Sequence, residues 1–178
     1  MTTGLRISAI ACRCGEVRLD ATGEPILTVT CHCESCQKAG TGFAALPGKP
    51  QVLNADGGTE FTLFRKDRVA CVRGEALLRS YRLTPEATTR RVLAHCCDTP
   101  MFLEFAKGHW LSLYRDRFGA EAPRIEMRVM TGDRRQGALL SDDLPSYKTH
   151  SVKFMWRLFA AWAAMGFRVP ASRPIEAS

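Results

Sequence analysis

The chain has 178 residues, a formal net charge of +7 and an apolar fraction of 46%. That length and composition give one domain, or one domain with an appendage, and a core that needs no covalent staples. The charge does not by itself argue for nucleic-acid binding, and no internal repeat or low-complexity segment is present.

Residues 1–10 carry no basic stretch followed by an apolar run, so no secretory signal is expected and the protein is read as cytoplasmic. Residues 8–11 predict a short strand running into Cys12-Arg13-Cys14-Gly15, where glycine allows the positive φ of a tight turn. Val17 and Leu19 alternate with Arg18 and Asp20 as in a half-buried strand. After a turn at Gly23-Glu24-Pro25, the β-branched residues around Val29 and Thr30 deliver Cys31-His32-Cys33-Glu34-Ser35-Cys36. Gln37-Lys38-Ala39-Gly40 predicts one helical turn ended by glycine, and 43–46 a strand.

From 51 to 104 the pattern predicts a β meander with strands at 69–72, 77–83, 91–93 and 101–105. Residues 110–114 and 124–130 add further strands. Turn signals every roughly 8–12 residues argue for a mainly β fold, a sheet sandwich or barrel. Residues 131–149 are polar and turn-rich, and 151–168 switch to helical composition with Trp156, Phe159 and Trp162 among basic residues. That run falls short of the about 20 apolar residues a membrane span needs. It suits a helix packed on its own sheet or on a second subunit, or one lying on a membrane surface. The predicted organisation is a zinc-binding β domain at 1–130, a linker at 131–150, and a basic apolar helix and tail at 151–178.

Zinc enters through the thiols. Seven of the eight cysteines lie in three clusters: Cys12 with Cys14, then Cys31, Cys33 and Cys36, then Cys96 with Cys97. In a chain without a secretory signal such clusters point to metal more than to disulfides. Cys12 and Cys14 need two further ligands, which Cys96 and Cys97 could supply to make a closed structural site. Cys31, Cys33 and Cys36 have no obvious fourth ligand. Three protein ligands plus an exchangeable position is the pattern of catalytic zinc; a purely structural site, an empty one and a thiol redox sensor are the alternatives. Two filled sites would lower the formal charge from +7 to about +4. Cys71 reads as a small core residue, His32 as a side chain turned away from the metal, and His109 and His150 as structural.

These cysteine motifs resemble the glutathione-dependent formaldehyde-activating enzyme family, which includes centromere protein V. Its Cys-x-Cys-Gly-x-Val-x-Leu motif is matched at 12–19, and its Cys-His-Cys-x-x-Cys motif at 31–36. Its Arg-x-Phe-Cys-x-x-Cys-Gly-Thr-Pro motif is met by 91–100 with departures. Ala94 stands where the first cysteine belongs, with Cys96 or His95 as the substitute ligand, and Asp98 replaces the usual glycine. The Cys-Cys-x-Thr-Pro form looks closest to a branch of unknown function. The resemblance covers about 8–105. It implies an Mss4-like β fold, a structural zinc from the first and third clusters, and room for a second zinc at Cys31, Cys33 and Cys36. It also implies a carbon-sulfur lyase activity, the joining of formaldehyde to glutathione as S-hydroxymethylglutathione, with those three cysteines catalytic. A tripeptide's carboxylates would need cations, for which Lys38, Lys49, Arg68 and Arg82 are candidates. The rival expectation is a non-catalytic, zinc-stabilised module that meets a membrane, a partner or a second copy through the C-terminal helix.

Overall fold

The computed structural model describes residues 6–170. The last eight residues of the predicted tail, 171–178, lie outside the described residues. The fold is mainly β, of the Mss4-like kind, and its strands form two sheets. The smaller sheet has the order β1-β2-β5, with β1 at Ile7–Ala11, β2 at Arg18–Thr22 and β5 at Val69–Arg73. The larger sheet joins β3 (Leu27–Cys31), β4 (Thr59–Arg65), β6 (Leu78–Tyr81), β7 (Thr89–Ala94), β8 (Thr99–Phe105), β9 (Trp110–Tyr114) and β10 (Met127–Val129). Its order is β10-β3-β4-β9-β8-β7-β6. Every pair in it is antiparallel except β10 with β3.

The larger sheet is buried on both faces. Side chains alternate across a strand, so Phe64, Val92 and Leu113 point to the smaller sheet and meet Ile10, Val17 and Leu19. Their neighbours Leu63, Leu93 and Tyr114 point the other way, into a second core completed by two helices. The first helix, α1 (Glu34–Ala44), contributes Ala39 and Phe43, and the second, α2 (Val152–Ala163), contributes Phe154 and Leu158.

Three predicted elements are corrected. The helix after Cys36 does not stop at Gly40 but runs through Gly40 and Gly42. Both glycines answer close packing: a Cβ on Gly40 would lie 2.5 Å from Leu53 Cγ, and one on Gly42 2.5 Å from the Tyr81 hydroxyl. The strand predicted at 43–46 is therefore the end of α1 and a turn, with Phe43 fully buried. The stretch 51–104 is not one meander: β4 pairs with β3 and β9, β5 crosses to the smaller sheet, and only β6 to β9 follow one another in space. Cys71 is half-buried at the border of the first core rather than inside it.

The helix α2 begins at Ser151, whose Oγ accepts the Phe154 N–H at 3.1 Å. Phe154 and Leu158 face the second core. His109 Nε2 lies 2.8 Å from the Leu158 carbonyl, and its ring stacks on Trp162. Arg157 Nη1 reaches Glu126 at 2.6 Å. Before the helix, residues 147–149 run beside β10: Thr131 N–H donates to the Tyr147 carbonyl at 3.0 Å and Tyr147 N–H to the Arg128 carbonyl at 3.0 Å. No helix among the described residues is long and apolar enough to cross a membrane. Because Leu158 sits in the core, Leu158→Ala is expected to lower the unfolding free energy by about 2–5 kcal/mol in urea titrations.

Candidate metal centres

Two turns build the first centre. Cys12 to Gly15 close the turn after β1: Gly15 N–H donates to the Cys12 carbonyl at 3.0 Å, and Gly15 has φ +82°. Opposite, the β7–β8 turn presents Cys96 and Cys97. Cys14 Sγ lies 3.5 Å from Cys12 Sγ and 3.3 Å from Cys96 Sγ, and Cys96 Sγ is 3.9 Å from both Cys12 and Cys97. Sulfurs about 2.3 Å from one tetrahedral zinc stand about 3.8 Å apart, so this donor set fits the ion. Cys96 thus stands with the other three sulfurs, while His95 is exposed and outside the group.

The surroundings of these sulfurs are tuned. The Val17 N–H donates to Cys12 Sγ at 3.2 Å. Burial pushes the Cys97 thiol up, but the Thr99 hydroxyl at 2.9 Å and the Cys14 backbone overcome it and bring Cys97 down to about 6. Burial and the neighbouring thiols hold Cys96 well above its ordinary value. Asp98 has φ +52°, the left-handed region that favours glycine, which accounts for the glycine in the usual motif. Its Oδ2 compensates by accepting the Gly48 N–H at 2.9 Å.

The second centre sits where β3 gives way to α1. Cys31 ends the strand, Cys33 is the N-cap of α1, and Cys36 lies in its first turn. Their sulfurs all lie within 4.8 Å of one another, with Cys31 and Cys36 3.8 Å apart. Hydrogen bonds from the Cys31 and Cys36 thiols hold Cys33 far below the usual thiol range, and the helix start and Arg91 add to the effect. The same contacts push Cys31 and Cys36 up. Each centre therefore holds one sulfur as a favoured thiolate.

Arg91 is the residue that sequence reasoning missed here. It stood in a recognised motif, yet nothing in its spacing showed where its side chain goes. It is fully buried, and its Nη2 donates to the Ser35 carbonyl at 3.0 Å and the Ser35 hydroxyl at 2.7 Å. This places a cation behind the thiols, where it would offset the negative charge of a three-thiolate metal site. His32 is also buried, with both ring nitrogens unpartnered and Asp56 Oδ2 3.8 Å from Nε2. Its ring packs under Gly58, where a Cβ would come within 2.8 Å of His32 Cε1. Burial lowers its pKa, against the pull of Asp56. His32 is thus turned from the metal position as expected, but into the interior rather than to the surface.

Fold and site define a mainly β protein with two cysteine clusters suited to metal. The chain belongs to the glutathione-dependent formaldehyde-activating enzyme family, whose model matches residues 7–115. That span holds β1 to β9 and both thiol clusters, and leaves β10 and α2 outside. Among solved structures, a Rhodobacter sphaeroides protein is similar at 16% identity and a TM-score of 0.46, over 65% of this chain and 92% of its own. No curated protein matches.

If Arg91 balances the charge of the thiol centre, Arg91→Met should weaken zinc binding at Cys31, Cys33 and Cys36 by about 10–100-fold. Competition against a chromophoric chelator should show this loss with the first centre unchanged.

Proposed function

We propose that this protein is a zinc-dependent, carbon-sulfur lyase-like enzyme acting on the adduct of an aldehyde with glutathione or a similar small thiol, in the manner of an S-(hydroxymethyl)glutathione synthase. One zinc is structural, on Cys12, Cys14, Cys96 and Cys97. A second occupies Cys31, Cys33 and Cys36, which are the catalytic residues. The observation that carries this reading is the three-sulfur cluster at a helix N-terminus, one ligand short of a closed tetrahedral set. A zinc held there keeps a further thiol deprotonated near neutral pH.

The chain's own groups account for the rest. In the reaction a thiol adds across a carbonyl: a C–S bond forms, and the thiol proton ends on the former carbonyl oxygen. Cys31, Cys33 and Cys36 orient the centre toward one open side. Arg91 offsets its charge from within, and Ser35, held by Arg91, fixes the first turn of α1. Of the cations considered for the substrate's carboxylates, Lys38 is on the same helix, paired with Glu34 at 3.1 Å, and Arg82 is engaged by the Ala87 carbonyl. The zinc-loaded protein is expected to form S-hydroxymethylglutathione from glutathione and formaldehyde faster than the spontaneous reaction, and Cys33→Ser to lose the acceleration. Rates equal to background with fully loaded protein would overturn the reading.

A second reading rests on α2. Its outer face leaves Val152 87%, Trp156 65%, Met155 53% and Phe159 48% exposed, beside Lys153. Such a face fits a non-catalytic module that docks a cytoplasmic protein to a membrane surface, a partner or a second copy. Removing the helix would disrupt the core, so the test is substitution on the outer face. Trp156→Asp with Phe159→Asp should abolish co-sedimentation with anionic liposomes, or shift the mass by light scattering, if this face docks. Unchanged behaviour of an already monomeric, liposome-free protein would remove it.

A further inference from the structure

The segment beyond the family match returns to the second centre. Cys31 pairs with Val129 in the β3–β10 register, and the His32 N–H donates to the Val129 carbonyl at 3.0 Å. One residue on, Met130 N–H meets the Thr149 carbonyl at 3.5 Å. The next residue but one, Ser151, is fixed as the cap of α2 and directs its Oγ to Met127 Sδ at 3.4 Å. His150 is held between these two anchors. Its ring lies 4.5 Å from that of Phe154, a member of the second core, which also includes Cys36; its nitrogens stand outside the group formed by Cys31, Cys33 and Cys36, whose sulfurs all lie within 4.8 Å of one another.

Three other polar side chains near the thiols are committed elsewhere. Arg91 stands on the buried side and binds Ser35. His32 faces Asp56. Gln37 bridges the carbonyls of His32 and Asp133 at 2.5 and 2.8 Å. His150 is exposed, and no hydrogen bond holds its ring nitrogens among the described residues. Burial lowers its pKa, with the Cys33 thiol pulling the other way.

We propose that His150 is the exchangeable fourth ligand of the second metal centre, closing the site by rotation of its side chain and yielding its place to an incoming thiol. An imidazole on an exposed pivot suits this role, because neutral histidine completes sulfur-rich zinc sites yet holds the ion less tightly than a fourth thiolate. The C-terminal segment thereby becomes part of the metal site rather than an appendage to it. This inference rests on metal binding by Cys31, Cys33 and Cys36, as proposed above, and not on the catalytic reading.

The experiment loads the full-length chain with cobalt(II), a spectroscopic stand-in for zinc, and compares wild type with His150→Ala and Cys31→Ser. Wild type is expected to take two ions per chain and Cys31→Ser one. The difference spectrum between them should show tetrahedral coordination by three sulfurs and one nitrogen. His150→Ala should alter that difference spectrum and lower affinity at the second centre at least tenfold, with the first centre unmoved. Two ions per chain with identical spectrum and affinity in His150→Ala would overturn the role of His150 alone. One ion per chain in both wild type and Cys31→Ser would overturn the second metal centre and the inference with it.

Discussion

Convergence of four sulfurs from two turns is the constraint on which the rest of the structure depends. The turn carrying Cys12 and Cys14 belongs to the smaller sheet, and the turn carrying Cys96 and Cys97 to the larger one. Their sulfurs meet within 4.8 Å of one another, where an ion would pin the ends of the two sheets together across the first core. Local details serve that convergence. Thr99 accepts the Arg13 N–H at 3.2 Å while its hydroxyl contacts Cys97, so one side chain spans both turns. Gly48 leaves room for the same turn, since a Cβ there would lie 2.6 Å from the Cys97 carbonyl oxygen.

The second thiol group has a different logic. It joins no two sheets; its sulfurs come from one strand end and one helix start. It is held instead by charge. A helix N-terminus and a buried guanidinium, that of Arg91, both favour negative sulfur. The two sets of cysteines thus differ in origin: one is gathered from two distant turns, the other from a single short stretch of chain.

Much of this was legible in the residues. Cysteine spacing gave the two ligand groups, because ligands must be close in sequence or held on adjacent turns, and both cases leave a pattern. The turn glycine Gly15 and the alternating strand β2 were equally readable. What failed to show has physical causes. β4 is packed on both faces, so its mixture of Thr62, Leu63 and Phe64 carries no period of two. Gly40 reads as a helix stop because sequence shows a missing side chain and not the neighbour, Leu53, that fills its space. Arg91 and His150 act across long stretches of chain, and nothing in their immediate neighbours records the partner.

The parallel pairing of β10 with β3 has a consequence of another kind. Within the family-matched span, β3 would be the last strand of its sheet, with one row of N–H and C=O groups unpaired. Such an edge invites pairing with another chain, and here it would be the edge that carries Cys31. β10 covers it, and residues 147–149 lie along the outer side of β10 in turn. The chain beyond residue 115 therefore acts as a hem: it turns a strand open to intermolecular pairing, with Cys31 at its tip, into an interior one.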